Sequence, residues 1–356
     1  MQTEPANMVH ASASGSITAR AIDWLRRKLI PTGIILLYHR IAEGGHDPWG
    51  MAVSPVQFDE HLQVLRRFGT AMTLNEFLSR RFEGQLRERA IMVTFDGTYA
   101  STLTQAVPSL TRFETPATVF VRSGMVGCAG EHWRDELERL LLESGPLPQQ
   151  LILTISETKH RWSLEDSGCP QIPQAHHSWR VWDAGCPTAR HALYRELCER
   201  LASMDDESRE DVLGDLRRWA GNVSRTARES HRLLTWGEVS QLGHTAGIDI
   251  GGQGLTHSSL AALTPREQWQ EILQGKALLE TALSVPAKHF AFPQGRRDSY
   301  TRETIAFVRA AGYVSASTTE ANRIERWTDP FELPRFSVHA QGGEEFATWL
   351  SAILAA

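Results

Sequence analysis

Asp96 closes the apolar run Ala90-Ile91-Met92-Val93-Thr94-Phe95 and is followed at once by Gly97, Thr98 and Tyr99. A short β-branched and aromatic run of this kind reads as a buried strand. In parallel α/β proteins the C-terminal strand ends form the functional face, so a carboxylate there projects to where acid–base chemistry is done. Asp-Gly after a strand is also an ordinary turn signal, so this segment alone leaves both readings open. Two histidines sit in comparable places. His39 stands beside Arg40 just after Ile34–Tyr38, where an imidazole moves protons near neutral pH or partners a carboxylate. His257, between Thr256 and Ser258, is either a pocket residue or a hydrogen-bonded histidine at a strand-to-helix turn.

Further candidates lie in the middle of the chain. His132, Trp133, Asp135 and Glu136 are consecutive or nearly so. The spacing of Leu137, Leu140 and Leu141 puts Asp135 and Glu136 on a solvated helix face. His176 and His177 fall in an irregular loop and read as exposed. Eleven tryptophans include several that belong to the core, and others whose indole faces can stack on sugar rings.

The elements that must position these groups are readable. Strand-like runs recur at Ile34–Tyr38, Ala90–Phe95, Ala117–Val121, Ile248–Ile250 and His289–Phe292. Ser54-Pro55-Val56-Gln57 and Thr264-Pro265-Arg266-Glu267 are capping boxes with proline at the first helical position. The second opens a helix to about Leu283, and Thr301–Gly312 is another helix with a glycine at its end. Strand, helix, strand in alternation means parallel pairing with helices outside, in a doubly wound sheet or a barrel. From Gly145 to about Arg232 the pattern changes: a strand pair (Leu151–Ile155, His160–Leu164), an irregular loop, then helices at Thr188–Met204 and Glu207–Ala220. This segment, 145–232, reads as an insertion in a domain spanning 33–356, preceded by a tail and helix over 1–32.

Composition bounds the partners. A net charge of −5 with no basic stripe argues against nucleic acid. Hydrophobic residues at 41% and charged residues at 22% are ordinary globular usage and predict a large core. No apolar run is long enough to span a bilayer. Four cysteines without a C-x-x-C pair read as free thiols in a reducing compartment, and the first fifteen residues lack an apolar signal core. A cytoplasmic protein is expected. Ile17–Ile30 is amphipathic and basic; it reads first as a docking helix, with weak membrane-surface contact as the alternative.

Read together, these segments resemble the polysaccharide deacetylases of exopolysaccharide clusters. Leu36-Leu37-Tyr38-His39-Arg40 resembles their LxYHRx opening, Val93–Tyr99 their TFDDGY motif, Ile250–His257 their IGxHTxxH, Phe290–Gly295 their FAYPYG, and Asp329–Phe336 their DPFxLPRF ending. Trp133–Glu138 and Arg190–Arg195 are similar too. The resemblance runs in order from about Gly33 onward. It implies a NodB-type fold of carbohydrate esterase family 4: a distorted (β/α) barrel of about seven parallel strands.

The resemblance also implies roles. Asp96 matches the general base, His257 the last metal ligand and His39 a candidate general acid. Gly97 stands where the metal-binding Asp belongs, Gln253 where the first metal His belongs, and Gln294 where an oxyanion-holding Tyr belongs. Gln253, Gln294, Tyr99, Arg335 and Trp133 are the expected substrate contacts. A catalytic zinc needs three N, S or carboxylate ligands plus an open position, and a glycine and a neutral amide do not supply them. Zinc lowers the pKa of its water from 15.7 to about 7; losing that is worth up to ~12 kcal/mol of activation, of which a general base recovers only a few. No cofactor is therefore expected, unless His132, His176 or Asp135 replaces the missing zinc ligands. Three readings stay open: metal-free acid–base chemistry on a sugar, a non-catalytic carbohydrate-binding or assembly protein, and a deacetylase with substitute ligands. The double change Gly97→Asp with Gln253→His is expected to restore metal binding, because the backbone frame should still present both positions.

Overall fold

A computed structural model describes residues 33–86, 89–143, 145–164, 172–202, 204–222 and 224–355. The amphipathic segment Ile17–Ile30 lies outside the described residues. The elements in chain order are β1 (Gly33–Tyr38), β2 (Arg40–Ile41), β3 (Ala52–Val53), α1 (Pro55–Phe68), β4 (Thr70–Ala71), α2 (Leu74–Phe82), β5 (Ala90–Asp96), α3 (Val107–Arg112), β6 (Ala117–Val121), α4 (Trp133–Glu138), β7 (Gln150–Ile155), β8 (Thr158–Ser163), α5 (Ala189–Leu201), α6 (Asp206–Trp219), α7 (Trp236–Gly243), β9 (Ile248–Gly252), α8 (Pro265–Leu283), β10 (His289–Ala291), α9 (Arg302–Ala310), β11 (Ser315–Ser317), β12 (Phe336–Ser337) and α10 (Gly343–Ala355).

The main sheet runs β11-β10-β9-β6-β5-β1-β12, with short β4 also pairing β5. Every pairing in it is parallel. The result is the curled, distorted (β/α) barrel expected from the sequence, with seven parallel strands on its main path. Parallel strands covered by helices are buried on both faces, which is why they read as unbroken apolar runs. Ile34, Ile35, Leu36, Leu37 and Tyr38 are all fully buried, each side chain contributing about 1.5–3 kcal/mol relative to exposure.

Both predicted capping boxes form. Ser54 and Gln57 cap α1, Thr264 and Glu267 cap α8, and a proline occupies the first turn of each. Gly312, just past α9, has φ 84°, the left-handed conformation glycine adopts without steric cost.

The β7–β8 hairpin pairs antiparallel, apart from the barrel sheet. With α5 and α6 it closes over a second core containing Leu151, Leu153, Leu193, Leu197, Leu213 and Leu216. That core also takes Leu137, Leu140, Leu141 and Leu142, so it begins before residue 145. The consequence corrects one expectation. Asp135 and Glu136 do not face solvent; both are buried, because the side of α4 away from its leucines packs against the barrel mouth and α6. Among the described residues, Cys128, Cys186 and Cys198 are free thiols, and no helix is long and apolar enough to cross a membrane.

Candidate active site

The parallel register brings the motif residues to one end of the barrel. Tyr38 pairs with Phe95 and Asp96 with Phe120, while Val121 pairs with Gly252. His39, Asp96, Arg122 and Gln253 therefore emerge side by side at the C-terminal strand ends.

Asp96 is the hub. Arg335 donates to both of its oxygens, Nη1 to Oδ1 at 2.7 Å and Nη2 to Oδ2 at 2.8 Å, and the Gln253 amide donates to Oδ2 at 2.7 Å. The Arg335 Nε donates to the Thr318 carbonyl at 2.8 Å. Bidentate charge-assisted pairing is the strongest arrangement open to a buried carboxylate. Arg335 is fully buried, so its expected role as a substrate contact is corrected: it positions Asp96. A carboxylate can only accept, so Gln253 must turn its N–H group to Asp96. That leaves Gln253 Oε1 buried with no hydrogen-bond partner.

Gly97 follows with φ 114°, and a Cβ built there would lie 2.7 Å from Tyr99 Cε2, 2.9 Å from Tyr99 Cδ2 and 3.1 Å from Arg122 Nη2. Arg122 Nη2 donates to the Gly97 carbonyl at 3.0 Å. The space a side chain at position 97 would need is thus filled by a ring and a guanidinium. Tyr99, expected to touch substrate, is also buried; its hydroxyl donates to Asp135 Oδ2 at 2.7 Å.

A charged network continues from there. Glu138 and His231 join Asp135, with ligand atoms all within 4.8 Å of one another, the one group of three or more such residues found among the described residues. By donor type this set suits a divalent ion. Each member is already engaged: Tyr99 on Asp135, Arg40 on His231, and Arg228 on Glu138 at 2.9 Å. Burial raises the carboxyl groups of Asp135 and Glu138 above the usual range, and it depresses His231 strongly.

The substrate-sized opening lies beside this hub. A cleft of about 850 Å3 is lined by His132, Trp133, Arg134, His257, Gln294 and residues of α5, α6 and α8. His132 and His257 meet edge to face, with ring centroids 6.2 Å apart. Burial first, and the guanidiniums of Arg122 and Arg134 next, hold both imidazoles well below the ordinary histidine range. Arg134 and Arg209 lie over the Trp133 indole at 4.5 and 5.1 Å. His39 is also depressed, to about 4, by burial, against an upward pull from Asp96. At about 4 it is neutral at pH 7, the form that can accept a proton.

Three non-glycine residues in these loops have left-handed backbones: Thr98 at φ 62°, His257 at φ 74° and Gln294 at φ 61°. For a β-branched threonine this is a genuine outlier. It is held from two sides: Thr98 Oγ1 accepts from the Arg122 amide at 2.8 Å, and its carbonyl from the Leu234 amide at 2.9 Å. Strain of this kind clusters at functional sites.

Arg122, Arg40 and His231 escaped the sequence reading. Arg40 was flanked by a candidate and carried a local signal, whereas Arg122 and His231 reach the site only through the fold. Of the suggested substitute ligands, Asp135 joins the Glu138–His231 group and His132 packs on His257. His176 packs instead on His191 in the insertion, with ring centroids 6.0 Å apart.

Residues 220–316 match the family model described as polysaccharide deacetylase. No curated protein sequence matches. Among solved structures, the Streptococcus pyogenes deacetylase PplD in complex with acetate is 15% identical at TM-score 0.52, over 91% of this chain and 99% of that one. IcaB from Ammonifex degensii is 17% identical at TM-score 0.52, over 90% of this chain and 97% of that one. A de-N-acetylase from Aggregatibacter actinomycetemcomitans is 12% identical at TM-score 0.52, over 88% of this chain and 99% of that one. At such identities the likeness concerns the fold. Residues 220–316 thus carry the sequence pattern of polysaccharide deacetylases, and the barrel as a whole has the fold of the solved deacetylases it resembles.

Proposed function

We propose that this chain acts on a carbohydrate through acid–base chemistry carried by its own side chains, without the catalytic metal its family implies. A zinc centre takes three N, S or carboxylate ligands and an open position. Position 97 supplies no ligand, Gln253 turns its N–H to Asp96, and Asp96 holds Arg335 on both oxygens. His257 alone remains of the motif ligands, and these residues do not fit zinc. The observation that carries the reading is the packing of Tyr99 and Arg122 into the space beside Gly97, next to an intact Asp96 with His39 adjacent in register.

In this reading neutral His39 takes a proton from water or a sugar hydroxyl. Asp96, fixed by Arg335, stabilises the imidazolium that forms, in keeping with its upward pull on His39. His257 and Gln294 on the cleft wall offer N–H donors to charge developing on an acyl oxygen. Turnover of O- and N-acetylated oligosaccharides with a strong chelator present tests this. The expected result is chelator-resistant product formation, reduced about 10²–10⁴-fold in His39→Gln. Activity lost to chelator and restored by zinc would overturn it. A second reading, carbohydrate binding without turnover, is favoured by the saturation of both Asp96 oxygens; saturable glycan binding with no product would select it.

A further inference from the structure

The insertion holds a group of histidines that the site above does not use. His46 lies on the loop between β2 and β3, His176 and His177 on a turn of the insertion, and His191 in the first turn of α5. The rings of His46 and His177 are 4.0 Å apart, His176 and His191 6.0 Å, and His46 and His191 6.4 Å, centroid to centroid. His191 is fully buried and His46 nearly so. His191 Nδ1 pairs with the Thr188 hydroxyl at 2.8 Å, yet its Nε2 is buried without a partner, as is Nδ1 of His176. Buried polar nitrogens in native proteins have partners, so two orphans in one cluster point to a missing one.

We infer that His46, His176, His177 and His191 form a binding site for a borderline divalent transition ion of the zinc class, stapling the barrel loop to the insertion. The donor type selects the ion: neutral imidazole suits zinc, nickel or copper and not calcium or magnesium. Two imidazoles on a tetrahedral zinc at about 2.0–2.1 Å place their ring centroids roughly 5 Å apart, a spacing that the observed distances bracket. No three of these histidines bring ring nitrogens within 4.8 Å of one another in this structure, so binding an ion requires the His46 and His177 side chains to turn toward His176 and His191. The charged groups facing it are Glu143, Arg190 and Arg228. Arg228 is neutralised by Glu131, Glu138 and Glu143, and Arg190 donates to the Gly145 carbonyl at 2.9 Å.

The test uses the full, tag-free chain, stripped with chelator and dialysed, then titrated with zinc chloride alone and with calcium chloride as control. One zinc per chain is expected, with melting temperature rising as zinc is added. His191→Gln and the less buried His177→Gln should each weaken binding at least by the roughly 10–100-fold that loss of even an outer-shell partner costs. Circular dichroism confirms that each variant is folded, and His244→Gln, an exposed histidine at the end of α7 outside the cluster, should leave zinc affinity unchanged. Absence of zinc uptake by the folded wild type overturns the inference. So does zinc uptake unaffected by His177→Gln. Zinc lost in His257→Gln but kept in His177→Gln would refute both this site and the metal-free reading, whereas zinc lost only in the insertion variants supports this site and leaves that reading intact.

Discussion

Substituting Gly97 is the sharpest perturbation of the proposed site. An aspartate there would give the paired carboxylates of the deacetylases this chain resembles, and by sequence alone it should supply part of a metal centre. The structure predicts damage instead. A side chain at φ 114° occupies a region essentially reserved for glycine, costing on the order of 1–3 kcal/mol. Its Cβ would lie 2.7 Å from the ring of Tyr99, which is anchored through Asp135, and overpacking of this kind costs about 1–3 kcal/mol more. The total, about 2–6 kcal/mol, is a large share of the roughly 5–15 kcal/mol that stabilises a typical protein. Urea denaturation of Gly97→Ala and Gly97→Asp measures it, the alanine separating the backbone and Cβ terms from charge. Alanine should carry most of the loss, and Gly97→Asp with Gln253→His should not take up zinc at the barrel mouth. An alanine variant within about 0.5 kcal/mol of wild type, or a double variant binding one zinc through His257, would refute the reasoning.

Two other predictions follow from the buried charges. Arg335→Met leaves Asp96 buried without its cation, so stability should fall by about 3–5 kcal/mol; a loss under 1 kcal/mol in urea denaturation would mean that Asp96 does not depend on this pair. Acid should also destabilise the fold, because burial holds His61 and His289 at about 4, against 6.5 for a free histidine. Between pH 6.5 and 4 the unfolded chain binds the proton and the folded one does not, so stability is complete above 6.5 and falls with pH by about 1.4 kcal/mol per unit for each such histidine. Urea midpoints measured across that window should decline steeply, and a flat profile would show that these imidazoles are charged in the native state.

Where signals were local, the sequence was legible. Ile34–Tyr38 and Ala90–Asp96 announce themselves because burial on both faces of a parallel sheet leaves no polar position in the run. Ser54 with Gln57, and Thr264 with Glu267, speak for themselves because a cap and its partner sit three residues apart. The site was legible only as a set of strand ends. That Arg335 grips Asp96 joins residues 239 apart in sequence, and Arg40 meets His231 across 191. The amphipathic reading of Asp135 and Glu136 failed for a definite reason: it assumed one core, whereas α4 lies between two, its leucines in the insertion core and its acids against Tyr99, Arg139 and Arg217. Nothing in a helical period reports a second core. The left-handed backbones of Thr98, His257 and Gln294 were equally invisible, since of these residue types only histidine is enriched at φ > 0, and too weakly to single out one position.

Those three residues bear on whether the pocket is in use. Each left-handed non-glycine residue costs on the order of 1–3 kcal/mol and persists only where surrounding contacts over-determine it. Here they occur on the loops after β5, β9 and β10, the loops that also carry Asp96, Gln253 and the cleft wall. Glycine would relieve the strain at any of them, and at Thr98 it would forfeit one hydrogen bond from the Arg122 amide, worth about 1 kcal/mol. A frame that pays this cost at three converging strand ends holds side chains where a relaxed loop would not. His257 and Gln294 both lie on the cleft wall, so the strain falls where the proposed chemistry would be done.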